Sequence, residues 1–458
     1  MASASRRDLL AGLGALGAGL VVRSAHAAFP KDVQTSPGTF TSPVPPAGDP
    51  RAVDEGGYIA AERPARTTWT VSNAHILVGD GTVVRGGVRV EGGRIAALGP
   101  GVTGGDDLGG ATVFPGFFDG GSSIGLVEID LEAGTHDEAE SSDGVVPAAR
   151  VVDAYNPASA LIPVARRQGV LGGLVLPSGG LVSGTAAWMC FAEATVEGAT
   201  WDAAAGVVIQ MGRGGTGGLP NQPKSRMGVA LKLRELLDAH KLPEPPDPKA
   251  KKKKGEPEKP EELTRTQQVW RAVRERKRKV ILGVDRADDI LTAIALAREY
   301  GLDAVLLGAA EGHRVARDIA ASKFPVLLAP TSTQPSGWDT LQASYANAAR
   351  LEREGVPLVF RAGGPHNLRE LPTEACLAVA YGLPHEAAVR AACGHNAAKV
   401  WSGLPFGTLA VDRPATLAVA DGDPLQPRTR VLRAWIGGSE LSLRSRQTTL
   451  LERFRTLR

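Results

Sequence analysis

The chain is poor in cysteine, and what it lacks narrows its chemistry early. Its 458 residues hold three cysteines, Cys190, Cys376 and Cys393. None stands in Cys-x-x-Cys spacing, which leaves out the paired-cysteine metal and redox motifs. An odd count leaves one thiol unpaired even where an oxidising compartment permits a disulfide, and all three read as small buried residues. There are eight histidines, and no two stand as His-x-His or His-Glu-x-x-His. One Gly-x-Ser-x-Gly match occurs, Gly121-Ser122-Ser123-Ile124-Gly125, but the sequence names no histidine as partner for a serine nucleophile there. The glycine-rich run 211–218 (MGRGGTGG) lacks the Gly-Lys-Ser/Thr end of a phosphate loop. Beyond the N-terminus, no apolar run approaches the roughly 20 residues that span a bilayer. Charge of one sign is scarce too. The formal net charge is +3, with 43% hydrophobic and 22% charged residues, ordinary for a soluble globular protein.

What is present begins with a leader. Ser5-Arg6-Arg7-Asp8-Leu9-Leu10 matches the twin-arginine pattern, an apolar stretch runs over 9–22, and Ala25-His26-Ala27 offers a small-x-small cleavage site. The pattern predicts export, so the expected location is periplasmic or secreted. Loss of residues 1–27 lowers the net charge to +1. The sequence pI near 8.7 therefore argues for neither a nucleic-acid partner nor a membrane surface.

Residues 28–66 are rich in Pro, Gly, Ser and Thr without periodicity and read as an extended arm or linker. Between 67 and 113, β-branched runs separated by Gly-Asp-Gly and Gly-Gly predict a small antiparallel sheet. From Phe114 the pattern alternates. Apolar strands are predicted at 113–118, 170–176, 206–210, 280–284, 304–307, 325–329 and 356–360, with helical periodicity between several of them, as over 287–300. Seven strands in βα alternation predict a (β/α)8 barrel over 114–403, with one strand unplaced. The span 241–262 mixes Lys, Pro and Glu with almost no apolar residues and predicts a disordered surface insertion. A basic helix is expected over 267–279. Two short strands are expected within 406–423 and one at 433–437, so that 404–445 completes the sheet begun by 67–113.

The segment Pro115-Gly116-Phe117-Phe118-Asp119-Gly120-Gly121-Ser122-Ser123 resembles the metal-binding stretch of the amidohydrolase superfamily, in its periplasmic imidazolonepropionase-like branch. The family writes it Pro-Gly-x-x-Asp-x-His-x-His. The likeness covers about Val71 to Trp435. It implies a (β/α)8 barrel with a small discontinuous β-sandwich, and a catalytic divalent metal, usually zinc, that activates water. The two histidine positions are Gly121 and Ser123 here. Where the branch has histidines at mid-barrel, this chain has Gly283 and Asp285. The later Glu-His-Gly segment reads Ala309-Ala310-Glu311-Gly312, and Gly363 stands at the aspartate position. Glycine offers neither ligand nor proton acceptor.

Two readings stay open. In the first the metal site is lost, no cofactor is bound, and the barrel is a pseudoenzyme whose mouth takes a small-molecule ligand. Its mouth would be lined by Ser122, Ser123, Asp285, Arg286, Glu311 and Arg361. It would stand as a homodimer or pair with an active paralogue. In the second, an active hydrolase cleaves the C–N bond of a small cyclic amide or peptide-like substrate on a rebuilt zinc site, with His136 and His366 as the rescue ligands. A third use is scaffolding through the arm and the 241–262 insertion. The loop 177–184 is a further candidate, as a backbone N–H cradle for an anion. The catalytic residues themselves are not assigned.

Overall fold

The computed structural model describes residues 67–192, 195–240 and 262–455. The leader, the 28–66 arm and all but the last residue of the 241–262 insertion lie outside the described residues.

Hairpin glycines and β-branched residues build a flanking sheet first. Strand β1 (Trp69–Leu77) pairs antiparallel with β2 (Val83–Glu91), and β2 with β3 (Arg94–Gly99). In the first turn the Asp80 carboxylate accepts the Thr82 amide at 2.8 Å. Strands β4 (Asp106–Asp107) and β5 (Thr112–Phe114) run parallel to β1. The far end of the chain returns to the same sheet through β14 (Leu417–Ala420), β15 (Val431–Ile436) and β16 (Ser439–Glu440), with Val419 opposite Val113. Val88, Val90, Ile95, Val113, Leu417 and Val419 are buried within it. Only one strand forms within 406–423, not the two expected. Gly407 and Asp412 adopt positive φ (+92° and 66°), and Leu409 reaches the sheet through a single bond to the Val78 carbonyl.

Pro115-Gly116 hands the chain to the barrel. Gly116 has φ +79°, and a Cβ there would stand 2.4 Å from Leu171 Cδ1. The expected strand 113–118 is therefore two strands in two sheets: β5, and β6 (Phe117–Ser122). The barrel continues through β7 (Val170–Val175), β8 (Val182–Cys190), β9 (Thr200–Gln210), β10 (Lys279–Val284), β11 (Ala304–Gly308), β12 (Val326–Leu328) and β13 (Leu358–Phe360), each beside the next. The ends nearly close on each other: a Cβ on Gly120 of β6 would lie 2.9 Å from the Phe360 carbonyl of β13.

The strand missing from the sequence count is β8. It runs antiparallel to β7 and β9, while the other barrel pairs are parallel. No helix joins β7 to β8. A short connection turns through Gly179 and Gly180, both at positive φ.

Outside, the helix Ala287–Glu299 forms where periodicity placed it. The basic helix is shorter than expected, Arg265–Arg274, opened by a Thr264/Gln267 capping box. Arg276 then turns the chain at φ 59° toward β10. Phe118 stacks on Phe406 with ring centroids 3.9 Å apart, and Trp201 packs on both. Such ring pairs add about 1 kcal/mol each beyond their burial. They anchor β6 one residue before Asp119.

Candidate functional site

The C-terminal ends of the parallel strands meet at one mouth, where barrel enzymes keep their chemistry. Asp119, on β6, is fully buried. Its Oδ1 accepts the Ala362 amide at 2.7 Å and its Oδ2 accepts the Gly121 amide at 3.1 Å. Burial pushes its pKa up, while the Ala362 N–H and the Arg361 charge pull it down. The Ala362 bond ties β6 to the segment after β13, and the Gly121 bond lies within β6, whose last residue Ser122 pairs with Val175 of β7.

Arg361 follows β13 and is half-buried. Its Nε donates to the Gly121 carbonyl at 3.0 Å. Burial disfavours the charged guanidinium, and Asp119 and Asp285 favour it. Asp285 directly follows β10 and accepts the Ala310 amide at 3.3 Å. Burial pushes its carboxyl up to about 6, against the Ala310 N–H and Arg361, with Asp339 and Asp289 adding to the rise. The mouth thus holds one guanidinium acting on two carboxyls whose pKa values burial raises.

The glycines at the family's ligand positions are packed, not empty. Gly121 has φ +152°, and a Cβ on it would stand 2.5 Å from the buried Leu176 Cδ1 and 3.0 Å from Arg361 Nε. A Cβ on Gly283 would stand 2.1 Å from Gln210 Oε1, and one on Gly363, at φ +84°, 2.9 Å from Pro330 Cγ.

Of the six expected mouth residues, Ser122, Asp285 and Arg361 fall at these strand ends, with Ser122 buried and Ser123 half-exposed beside it. Arg286 instead closes on Asp288 through Nε and Nη2, at 3.0 and 2.7 Å, from the position just before the helix whose first turn holds Asp288. Glu311 is buried but engaged, accepting the Ala287 amide at 3.1 Å and facing Arg314 at 3.2 Å. His136 bonds Glu138 and the Ile129 carbonyl, and His366 bonds the Glu128 carbonyl and faces Asp130. Both histidines therefore hold the 128–130 segment rather than joining Asp285 and Glu311. Glu138 draws the His136 pKa up.

Several amides of the two glycine-rich runs already have acceptors within the protein. In 177–184 the Ser178 amide goes to Glu138, and the Leu181 and Val182 amides go to the Gly144 carbonyl. In 211–218 the Met211 amide goes to Gly283, Gly217 to Pro223, and Arg213 to the Asp339 carboxylate. The three cysteines are free thiols, two of them buried.

Sequence reasoning missed Asp119, Leu176 and Gln210 as mouth residues. Asp119 carried a signal, since it keeps the family's aspartate. Gln210 ends a predicted strand. The bond to Ala362 spans 243 residues and leaves no local trace. Two surface clefts lie elsewhere. One, of about 440 Å³, is on the flanking sheet around Asn73 and Arg85. The other, of about 480 Å³, is at the strand starts around Lys279 and Lys323.

No protein-family model and no curated protein matches the sequence. Solved structures do. An amidohydrolase from Thermotoga maritima MSB8 superposes with TM-score 0.70 at 25% identity, over 82% of this chain and 100% of that one. A molinate hydrolase matches at TM-score 0.50 and 16% identity, over 83% and 95% of the two chains. A prolidase complexed with N-methylphosphonate-L-proline matches at 0.51 and 15%, over 82% and 100%. The last two likenesses are of fold. With its nearly closed barrel, a flanking sheet drawn from both ends and a relative whose full length it spans, the chain belongs to the amidohydrolase superfamily.

Proposed function

We propose that this chain is an exported, non-catalytic member of the superfamily whose barrel mouth binds a small molecule, as a homodimer or paired with an active homologue. The observation that carries this is the packing at Gly121. A histidine there would need φ +152° and the space of Leu176 and Arg361. An aspartate at Gly363 would need φ +84° against Pro330. At Gly283 only the end of Gln210 would have to move. The donor set supports the same reading. Among the described residues, no three His, Cys, Asp or Glu side chains gather as metal ligands. The residues present do not fit a catalytic divalent metal, and the mouth's positive charge comes from Arg361 instead. Barrel folding needs only the apolar strands and turns, so the scaffold outlives the chemistry.

The test is elemental analysis of the exported protein purified without chelator, with turnover of N-acyl amino acids and Xaa-Pro dipeptides measured on the same sample. Less than about a tenth of an equivalent of zinc or manganese and no turnover is the expected result. One equivalent of metal with turnover overturns it. Export rests on the 1–27 pattern, and Arg6→Lys together with Arg7→Lys should retain the protein in the cytoplasm.

A further inference from the structure

We infer that the mouth recognises the carboxylate of a small monoanion through the η nitrogens of Arg361. This rests on the non-catalytic reading above and names the ligand class that reading leaves open. The guanidinium is held in a built slot. A Cβ on Gly120 would stand 3.2 Å from Arg361 Cγ, and one on Gly121 3.0 Å from its Nε. Two adjacent glycines therefore make the room that the side chain fills. The Nε bond to the Gly121 carbonyl then fixes the plane of the fork. Arg361 is half-buried, so the mouth gives solvent access to it, and its η nitrogens have no acceptor among the described residues. A guanidinium carries five N–H donors in a plane that matches a carboxylate edge-on. Leaving them unused in a partly desolvated site is costly, and a bidentate anion removes that cost.

Charge selects the class of anion. One guanidinium acts on Asp119 and Asp285, and burial favours the neutral form of both carboxyls. A monocarboxylate brings the two-oxygen edge that the fork accepts with the smallest added negative charge. A dianion such as sulfate would set a second negative charge beside these groups and beside Asp339 and Asp289, which also act on Asp285.

The test is calorimetric titration of the exported protein at pH 6 with N-acetylglycine, with N-acetylglycinamide, which lacks the carboxylate, and with sulfate, a dianion at this pH. The expected result is N-acetylglycine binding at least about tenfold more tightly than either, the scale of one charge-assisted contact. Arg361→Gln should abolish the preference for the acid. Arg361→Lys, which keeps charge but not the fork, should retain only part of it. Near-UV circular dichroism checks that each variant folds, and Arg361→Lys decides if Arg361→Gln does not. Equal affinity for acid and amide, tighter binding of sulfate, or an unchanged preference in the variants overturns the inference. So does absence of binding by folded wild-type protein. Metal content of the same sample separates the two claims: a metalloprotein would end the non-catalytic reading even if the carboxylate preference stood.

Discussion

Arg361 donates its Nε–H to the carbonyl of Gly121, at 3.0 Å and 240 residues away in sequence. The bond closes the seam between the first and last barrel strands at the height where the family places its first histidine. Position 121 is thus a glycine for a positive reason. Its φ of +152° and the contacts waiting for a side chain both require one.

Gly121→Ala should therefore destabilise the barrel. The methyl would meet Leu176 Cδ1 at 2.5 Å on a backbone that L-residues rarely adopt. A cost of about 1–3 kcal/mol follows from overpacking together with the unfavourable φ. Gly101→Ala is the control, since nothing lies within 4 Å of its Cβ position. Urea denaturation of the two variants should separate them clearly. Equal stabilities would show that Leu176 and Arg361 move aside at little cost.

The raised Asp285 carboxyl gives a pH-dependent prediction. Its pKa is about 6 in the folded state against an ordinary carboxyl value of 3.8. Between those values the folded state binds more protons than the unfolded one, so this group makes stability fall as pH rises from about 4 to 6, then level off. Asp285→Asn keeps an acceptor for the Ala310 amide and removes the titration. It should be more stable than wild type above pH 6, by about 1–2 kcal/mol after allowing for solvent access. The difference should vanish below about pH 4. A constant difference across this range would sink the assignment.

Much of this was legible in the sequence, and the exceptions have physical causes. Hairpin glycines, βα alternation and the helix at 287–299 are local signals, and they led to the flanking sheet and the barrel. β8 escaped because all nine of its residues are buried. A strand covered on both faces shows no alternation, and Gly184 weakens its β character further. The site was less legible. Ser122, Asp285 and Arg361 could be placed because each sits at a strand end. Arg286 and Glu311 sit there too, and only the structure shows them turned to their own helix and turn. Asp119 depends on an amide 243 residues away in sequence, just after the last barrel strand, which no local pattern encodes.

His385 links the barrel to the returning chain. Its Nε2 lies 2.9 Å from Asp423 Oδ2, from the start of the helix His385–Ala392 to the segment after β14. The hydrogen bond to Asp423 raises the histidine pKa, and Asp423 is held low in return. A histidine raised on folding adds stability that is complete below its unfolded pKa and is lost as pH climbs through the folded value. Wild type should therefore lose stability from pH 6.5 upward relative to Asp423→Asn. Titration of the His385 ring proton by NMR should give a midpoint above 6.5, dropping in that variant. An unshifted midpoint in wild type would remove the pair as a contributor.

Glu374 makes the last prediction, because it is a buried carboxylate that works on backbone. It is 3% exposed on the helix Leu371–Ala380. It accepts the Thr331 amide at 2.6 Å, the Ser332 amide at 3.2 Å and the Ser332 hydroxyl. Those donors open the loop after β12, which also carries Pro330 against Gly363 and Asp339 against Arg226. Glu374→Gln keeps one acceptor oxygen and turns an amide donor toward N–H groups. The expected cost is about 1–3 kcal/mol, the range for leaving buried donors unpaired. Glu370→Gln, at an exposed carboxylate beside Arg369, should change stability by less than about 0.5 kcal/mol. Hydrogen exchange distinguishes a local from a global effect. Amides 331 and 332 should exchange faster in Glu374→Gln while those of β10 and β11 keep their protection. Uniform acceleration would mean that the carboxylate holds the whole barrel rather than the loop that frames its mouth.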